Sequence, residues 1–229
     1  MPKFSHRDRQ VLEYLRGIGF DDIYLGASSI GRSFDTPERR NRESRAHKLG
    51  QLEDRASHCT LCTLSEGRRT VVFGSGSVAA NLMLIGEGPG AAEDRQGLPF
   101  VGPAGELLTR ILKAISLSRR DVYIANIVKC RPPGNRDPHP DEVACCRPYL
   151  EEQIDLVQPK VIVLLGRVAA QTLLGNDLPL GRLRGQWHSI RGITARATYH
   201  PAALLRNASF KRPTWEDMQI VRDRLAEMA

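Results

Sequence analysis

Leu82-Met-Leu-Ile85 is an apolar run too brief for a helix, and it stops at Gly86. A strand apolar on both faces belongs in the middle of a sheet that is covered on both sides. The pattern recurs from Val122 to Val128 and from Val161 to Gly166, and a last strand from Ile193 to Tyr199 ends at His200-Pro201. Between these runs the spacing predicts helices. One spans Pro103 to Ile115, with Leu107, Leu108, Ile111 and Ile115 on one side, and others span Pro140 to Val157 and Val168 to Leu174. A C-terminal helix is predicted from Thr214 to Met228, with Thr214 as N-cap and Asp217 as its capping-box partner. This βαβ alternation predicts an α/β fold: a three-layer sandwich whose central, mostly parallel four-stranded sheet is flanked by helices.

In such a sheet, ligands bind beyond the carboxyl ends of the strands. The loop after Ile85, Gly86-Glu-Gly-Pro-Gly90, offers glycines that let a ligand approach the backbone, the carboxylate of Glu87, the acidic pair Glu93 and Asp94, and an aromatic at Phe100. It outlines a small-ligand pocket, with an ordinary turn before the next helix as the alternative.

The chain has 229 residues with 41% hydrophobic content, enough for one sizeable core. A net charge of +7 favours an anionic partner such as nucleic acid. The longest aliphatic run, Val161 to Leu165, falls far short of the ~20 residues of a membrane span. No N-terminal stretch resembles a signal peptide, which points to a soluble, cytoplasmic, nucleoid-associated protein with no membrane partner.

Before the α/β region, residues 1–50 read as an extension and 51–229 as the main domain. Ser5 and Asp8 can cap a helix using Val11, Leu12, Leu15 and Ile18, and residues 27–45 read as a charged linker. Its arginines, Arg39, Arg40, Arg42 and Arg45, form a solvated charge run or touch phosphates. A second helix is expected from about Glu43 to Ser57.

Five cysteines in an intracellular chain suggest metal ligation before disulfides. Cys59 and Cys62 form a C-x-x-C knuckle, Cys130 ends the second strand, and Cys146 shares a helical face with Val143 and Leu150. Cys145 lies off that face and is left out. Scattered thiolates of this kind favour a [4Fe-4S] cluster over a zinc ribbon, which uses paired knuckles.

Gly86-Glu-Gly-Pro-Gly90, Glu93-Asp94, Pro99-Phe-Val-Gly102, Asn126-Ile-Val-Lys-Cys-Arg-Pro-Pro133, Cys146-Arg-Pro-Tyr-Leu150 and His200-Pro-Ala-Ala-Leu-Leu-Arg206 together resemble the iron-sulfur (family 4) uracil-DNA glycosylases. The resemblance runs from about Ser57 to the C-terminus. No Arg-Arg-Ile-His insert precedes His200, so ordinary turnover is expected rather than covalent trapping on uracil. The resemblance implies a monofunctional DNA repair glycosylase acting as a monomer on uracil-containing DNA. A noncatalytic iron-sulfur DNA-binding or redox-sensing protein is the alternative.

The resemblance also implies roles. Phe100 stacks on the extruded uracil, and Asn126 reads O4 and N3–H, a pattern that cytosine inverts. His200 faces O2, while Glu87 orients water or holds the pocket, since Gly88 falls where better-known uracil glycosylases carry an aspartate. Peptide groups of Gly86 to Gly88 contact the base, and Glu93 excludes thymine's methyl. Leu204 is either the wedge that fills the hole left by the flipped nucleotide or a buried core residue, and Arg206, Lys211 and Arg212 bind phosphates. Cys59, Cys62, Cys130 and Cys146 hold the cluster, which pins the knuckle to a basic Lys129-Cys130-Arg131 loop.

Overall fold

A computed structural model describes residues 36–228, and residues from Asn41 onward form one compact unit. The helix predicted around Val11 to Ile18 and residues 27–35 of the predicted linker lie outside the described residues.

Four parallel strands make the centre of the sheet: β2 (Leu82–Gly86), β3 (Val122–Asn126), β4 (Val161–Leu165) and β6 (Ile193–Thr198). Two short edge strands that the sequence reading missed, β1 (Ser75–Gly76) and β5 (Trp187–Ile190), pair antiparallel with β3 and β6. The sheet is therefore six-stranded, in the order β1-β3-β2-β4-β6-β5. β1 is two residues long, and β5 is partly exposed and carries no apolar run, so neither leaves a hydrophobic signature.

Alternation along the strands divides the core. Met83, Ile85, Tyr123, Ala125, Ile162 and Leu164 face α5 (Pro140–Val157) and α6 (Arg167–Leu174). Leu82, Leu84, Val122, Ile124, Val161 and Val163 face α4 (Pro103–Ala114) and α9 (Lys211–Glu227). Both faces of β2, β3 and β4 are buried, which is why their sequences run apolar without alternation. No described helix is long and apolar enough to cross a membrane.

Two predictions about the helices need correction. Helix α1 (Pro37–Ser57) begins at Pro37, with the Thr36 hydroxyl accepting from the Arg39 backbone N–H at 3.2 Å, so part of the predicted linker is helical. Within it, Arg45 is neither solvated nor available to phosphates: it donates to the carbonyls of Leu156 at 2.8 Å and Val157 at 3.0 Å, ending α5.

At the other end, Thr214 is not an N-cap. α9 starts at Lys211, and the Thr214 hydroxyl donates to the Phe210 carbonyl at 2.8 Å inside the first turn. Asp217 is a buried hub instead, accepting from Arg184 (2.8 Å), Arg196 (3.1 Å) and the Thr198 hydroxyl (2.7 Å). A buried carboxylate needs such partners, and these hold the end of β6 just before His200.

Candidate active site and metal centre

The carboxyl ends of all four parallel strands open into one cavity of about 520 Å³. β2 delivers Glu87, β3 delivers Asn126, β4 leads into Arg167, and β6 leads into Tyr199 and His200. Gly88, Glu93, Phe100 and Arg206 line it too, so most of the predicted pocket residues converge.

Gly86, a predicted base contact, ends β2 just behind the lining residues, paired in register with Asn126. A Cβ at Gly86 would stand 2.5 Å from Asn126 Oδ1 and 2.6 Å from Phe100 Cζ, so only glycine lets these two side chains close over the strand end. At Gly88 a Cβ would sit 2.9 Å from Val128 Cγ2, so any larger residue would have to displace that valine.

Asn126 is 1% exposed, and its side-chain carbonyl Oδ1 has no hydrogen-bond partner. A buried acceptor left unpaired costs roughly 1–3 kcal/mol, which is the expected state of a group reserved for a ligand donor. Phe100 is buried as well and has a left-handed backbone at φ 53°. Arg119 clamps that strained turn by donating to Phe100 O at 3.0 Å and Pro99 O at 2.6 Å, while Glu93 Oε1 accepts from Val101 N and Gly102 N, each at 2.9 Å. Glu93 thus holds the Phe100 loop in addition to lining the pocket.

His200 lies 5.4 Å from Phe100, centroid to centroid. Its Nδ1 accepts from the Ala202 backbone N–H at 3.1 Å, which leaves the proton on Nε2. Burial, and secondarily the charge of Arg206, lowers its pKa to about 4, so the ring is a neutral donor at physiological pH. Glu87 moves the opposite way: burial, then Asp137, push it up to about 7, against the pull of Arg167. Asp137 and Arg167 form an ion pair on the same wall.

The sequence reading missed several wall residues. Arg136 grips the buried Glu142 through two contacts of 2.8 and 2.6 Å, holding the proline-rich loop and keeping Glu142 down at about 2. Tyr199 is sandwiched between the Arg184 guanidinium at 4.5 Å and the Phe210 ring at 4.2 Å. The available signal for Arg167 was its position just beyond a strand's carboxyl end.

One predicted DNA contact, Leu204, is placed differently. Leu204 is buried at 3% exposure, whereas its neighbour Leu205 is 50% exposed. Of these two leucines, Leu205 is the one that reaches solvent. The "basic" Lys129 is buried, and burial lowers its ammonium to about 8. Lys211 and Arg212 lie outside the cavity lining on the exposed start of α9, and Arg212 pairs with Glu216 at 3.1 Å.

Elsewhere, Cys59, Cys62, Cys130 and Cys146 surround a second, mostly apolar cavity, together with Cys145. Cys145 turns its thiol to the Leu61 carbonyl at 3.2 Å. Among the described residues no three His, Cys, Asp or Glu side chains converge on a single-ion position. Two sulfurs receive hydrogen bonds suited to thiolates: Cys130 from Arg68 at 3.2 Å and Cys146 from the Lys129 backbone N–H at 3.3 Å. The Tyr149 hydroxyl bonds to Cys59 and is pushed up to about 12. Burial raises Cys62 and Cys130 and pushes Cys146 up to about 11, so without a ligand these thiols keep their protons.

A mostly parallel sheet with a cavity at the carboxyl ends of its strands is the architecture of a ligand-binding α/β protein. The profile of the uracil DNA glycosylase superfamily matches residues 73–219, and the chain belongs to that superfamily. It is 41% identical to the type-4 uracil-DNA glycosylase of Sulfurisphaera tokodaii, over 76% of this chain and 84% of that protein. It is 42% identical to the type-4 enzyme of Thermotoga maritima, over 73% and 90%. The type-5 uracil-DNA glycosylase of Pyrobaculum aerophilum is 33% identical over 66% and 73%.

Proposed function

We propose that this protein flips uracil out of DNA and hydrolyses its N-glycosidic bond, leaving an abasic site for base excision repair. The observation that carries the reading is the buried, unpartnered Oδ1 of Asn126, facing a cavity walled by Phe100 and His200. Uracil stacked on Phe100 presents N3–H to Oδ1 and O4 to the amide NH₂, whereas cytosine offers the reverse and leaves both groups unpaired. Peptide groups of Gly86 to Gly88 contact the base.

As the bond from C1′ to N1 breaks, its electron pair moves into the base, and negative charge grows on O2. The neutral His200 donates Nε2–H to it, an interaction strongest in the transition state. Water adds to the oxocarbenium-like C1′ and gives its proton to the Glu87 carboxylate, which takes over the task that Gly88 cannot perform. Leu205 fills the gap left in the stack, and Arg206, Lys211 and Arg212 hold phosphates. One chain supplies every group, so a monomer suffices.

Cys59, Cys62, Cys130 and Cys146 would hold a [4Fe-4S] cluster. The four-thiol donor set and the N–H donors aimed at two of the sulfurs support this choice. Hydrolysis requires no electrons, so the cluster's part is to tie the knuckle to the loop after β3.

Asn126→Asp tests the reading. It removes the amide donor and puts a charge opposite O4, so uracil excision should fall by roughly 3 kcal/mol, about a hundredfold. Alkali cleavage of a single-uracil oligonucleotide under single-turnover conditions measures it, and a wild-type rate would refute the reading.

A further inference from the structure

Strand β3 ends at Asn126, beyond which Ile127 N and Val128 N still donate to Gly86 O and Glu87 O, and the buried Asn126 carbonyl needs a donor of its own. Lys129, three residues on, folds back to supply one: its Nζ donates to Asn126 O at 2.9 Å and to Gln153 Oε1 at 2.5 Å. Gln153 is anchored in turn, its amide donating to Phe73 O at 2.9 Å and to the Tyr123 hydroxyl at 3.1 Å. All of these groups are buried.

A position that merely needed filling would take an aliphatic residue. An ammonium placed there bears a desolvation cost that only its hydrogen bonds offset. The same residue's backbone N–H donates to Cys146 Sγ, and its carbonyl accepts from Val72 N at 2.8 Å. Lys129 therefore touches the thiol cavity with its backbone and the base-reading residue with its side chain.

We infer that Lys129 is a positioning residue for uracil recognition, fixing the Asn126 peptide so that the Asn126 side chain meets the base edge in register. The inference rests on the reading of Asn126 proposed above. It also gives the cysteine lobe a catalytic consequence without electron transfer, because Cys146 fixes the Lys129 backbone from which the side chain reaches Asn126. Misplacement of a contact by about an ångström can reduce a rate on the order of a hundredfold.

The test is a double-mutant cycle between Lys129→Met and Asn126→Ala. It reads the single-turnover rate on a uracil oligonucleotide, duplex affinity, and iron content. Lys129→Met should retain iron and DNA binding and lose roughly tenfold to a hundredfold in rate. Added to Asn126→Ala, it should cost almost nothing further, because it acts through that residue.

Additive losses would overturn the inference, since a general loosening of the fold does not depend on Asn126. So would a wild-type rate in Lys129→Met. If Lys129→Met lacks iron, Lys129→Gln carries the same cycle, and loss of iron in both variants would overturn positioning in favour of a purely structural role. A wild-type rate in Asn126→Ala alone would instead sink the underlying reading of the pocket.

Discussion

The base cavity and the thiol cavity lie on either side of the segment from Asn126 to Cys130, yet they are built on opposite plans. The base cavity is finished before any ligand arrives: Phe100 is clamped in a strained turn, Asn126 Oδ1 waits unpaired, and the His200 tautomer is set by Ala202 N–H. Its residues sit at the ends of rigid strands, where the sheet itself fixes their spacing. The thiol cavity draws Cys59 and Cys62 from a loop after α1, Cys130 from a loop after β3, and Cys146 from α5. Burial favours protonated thiols there, so a metal binding at this site would have to displace their protons. One site therefore costs stability to prepare, and on the proposed cluster reading the other would return stability when filled.

The largest effects should come from the second plan. Cys146→Ala should lose iron, the broad absorbance near about 400 nm expected of thiolate-bound iron, and most soluble yield. Cys145→Ala should keep all three, since that thiol turns to a peptide carbonyl. Equal damage at Cys145 would mean that the wrong member of the pair was chosen. The pocket should behave differently. His200→Ala should fold with its iron and bind duplex DNA, yet lose about 10²–10³ in single-turnover rate, the usual loss for one oxyanion donor. If that rate falls only together with iron or DNA binding, the two regions are not separable as described.

The same contrast explains what the sequence could disclose. The central strands were legible because burial on both faces leaves uninterrupted apolar runs, and Glu87, Asn126 and His200 stand at or just past the ends of those strands, although their roles came from the resemblance. The edge strands carry no such run. Leu204 and Leu205 are adjacent and chemically identical, and only the orientation of α8 (Pro201–Arg206) separates the buried one from the exposed one. Lys129 and Arg45 read as surface charge because composition does not reveal which carbonyls a long side chain reaches. Asp217 was mistaken for a cap because its partners Arg184 and Arg196 come from elsewhere in the chain.

The smallest effect, and the most direct view of the prepared site, is the pH dependence of the rate. On the proposed mechanism Glu87 must be ionised to take the proton from water, and burial with Asp137 nearby holds its pKa up at about 7. The ionised fraction therefore rises with pH through about 7, and below it the single-turnover rate should fall about tenfold per unit. His200 adds no limb near its ordinary value of about 6.5, because its pKa is depressed to about 4 and it stays neutral throughout this range. Glu87→Gln should flatten the profile at a reduced rate. Arg167→Ala should shift the limb to higher pH, because it removes the cation that stabilises the Glu87 carboxylate and frees Asp137 of its partner. Asp137→Asn should shift it to lower pH. If the limb stays in place in both variants, the titrating group is not Glu87, and the water is positioned by something else on the wall.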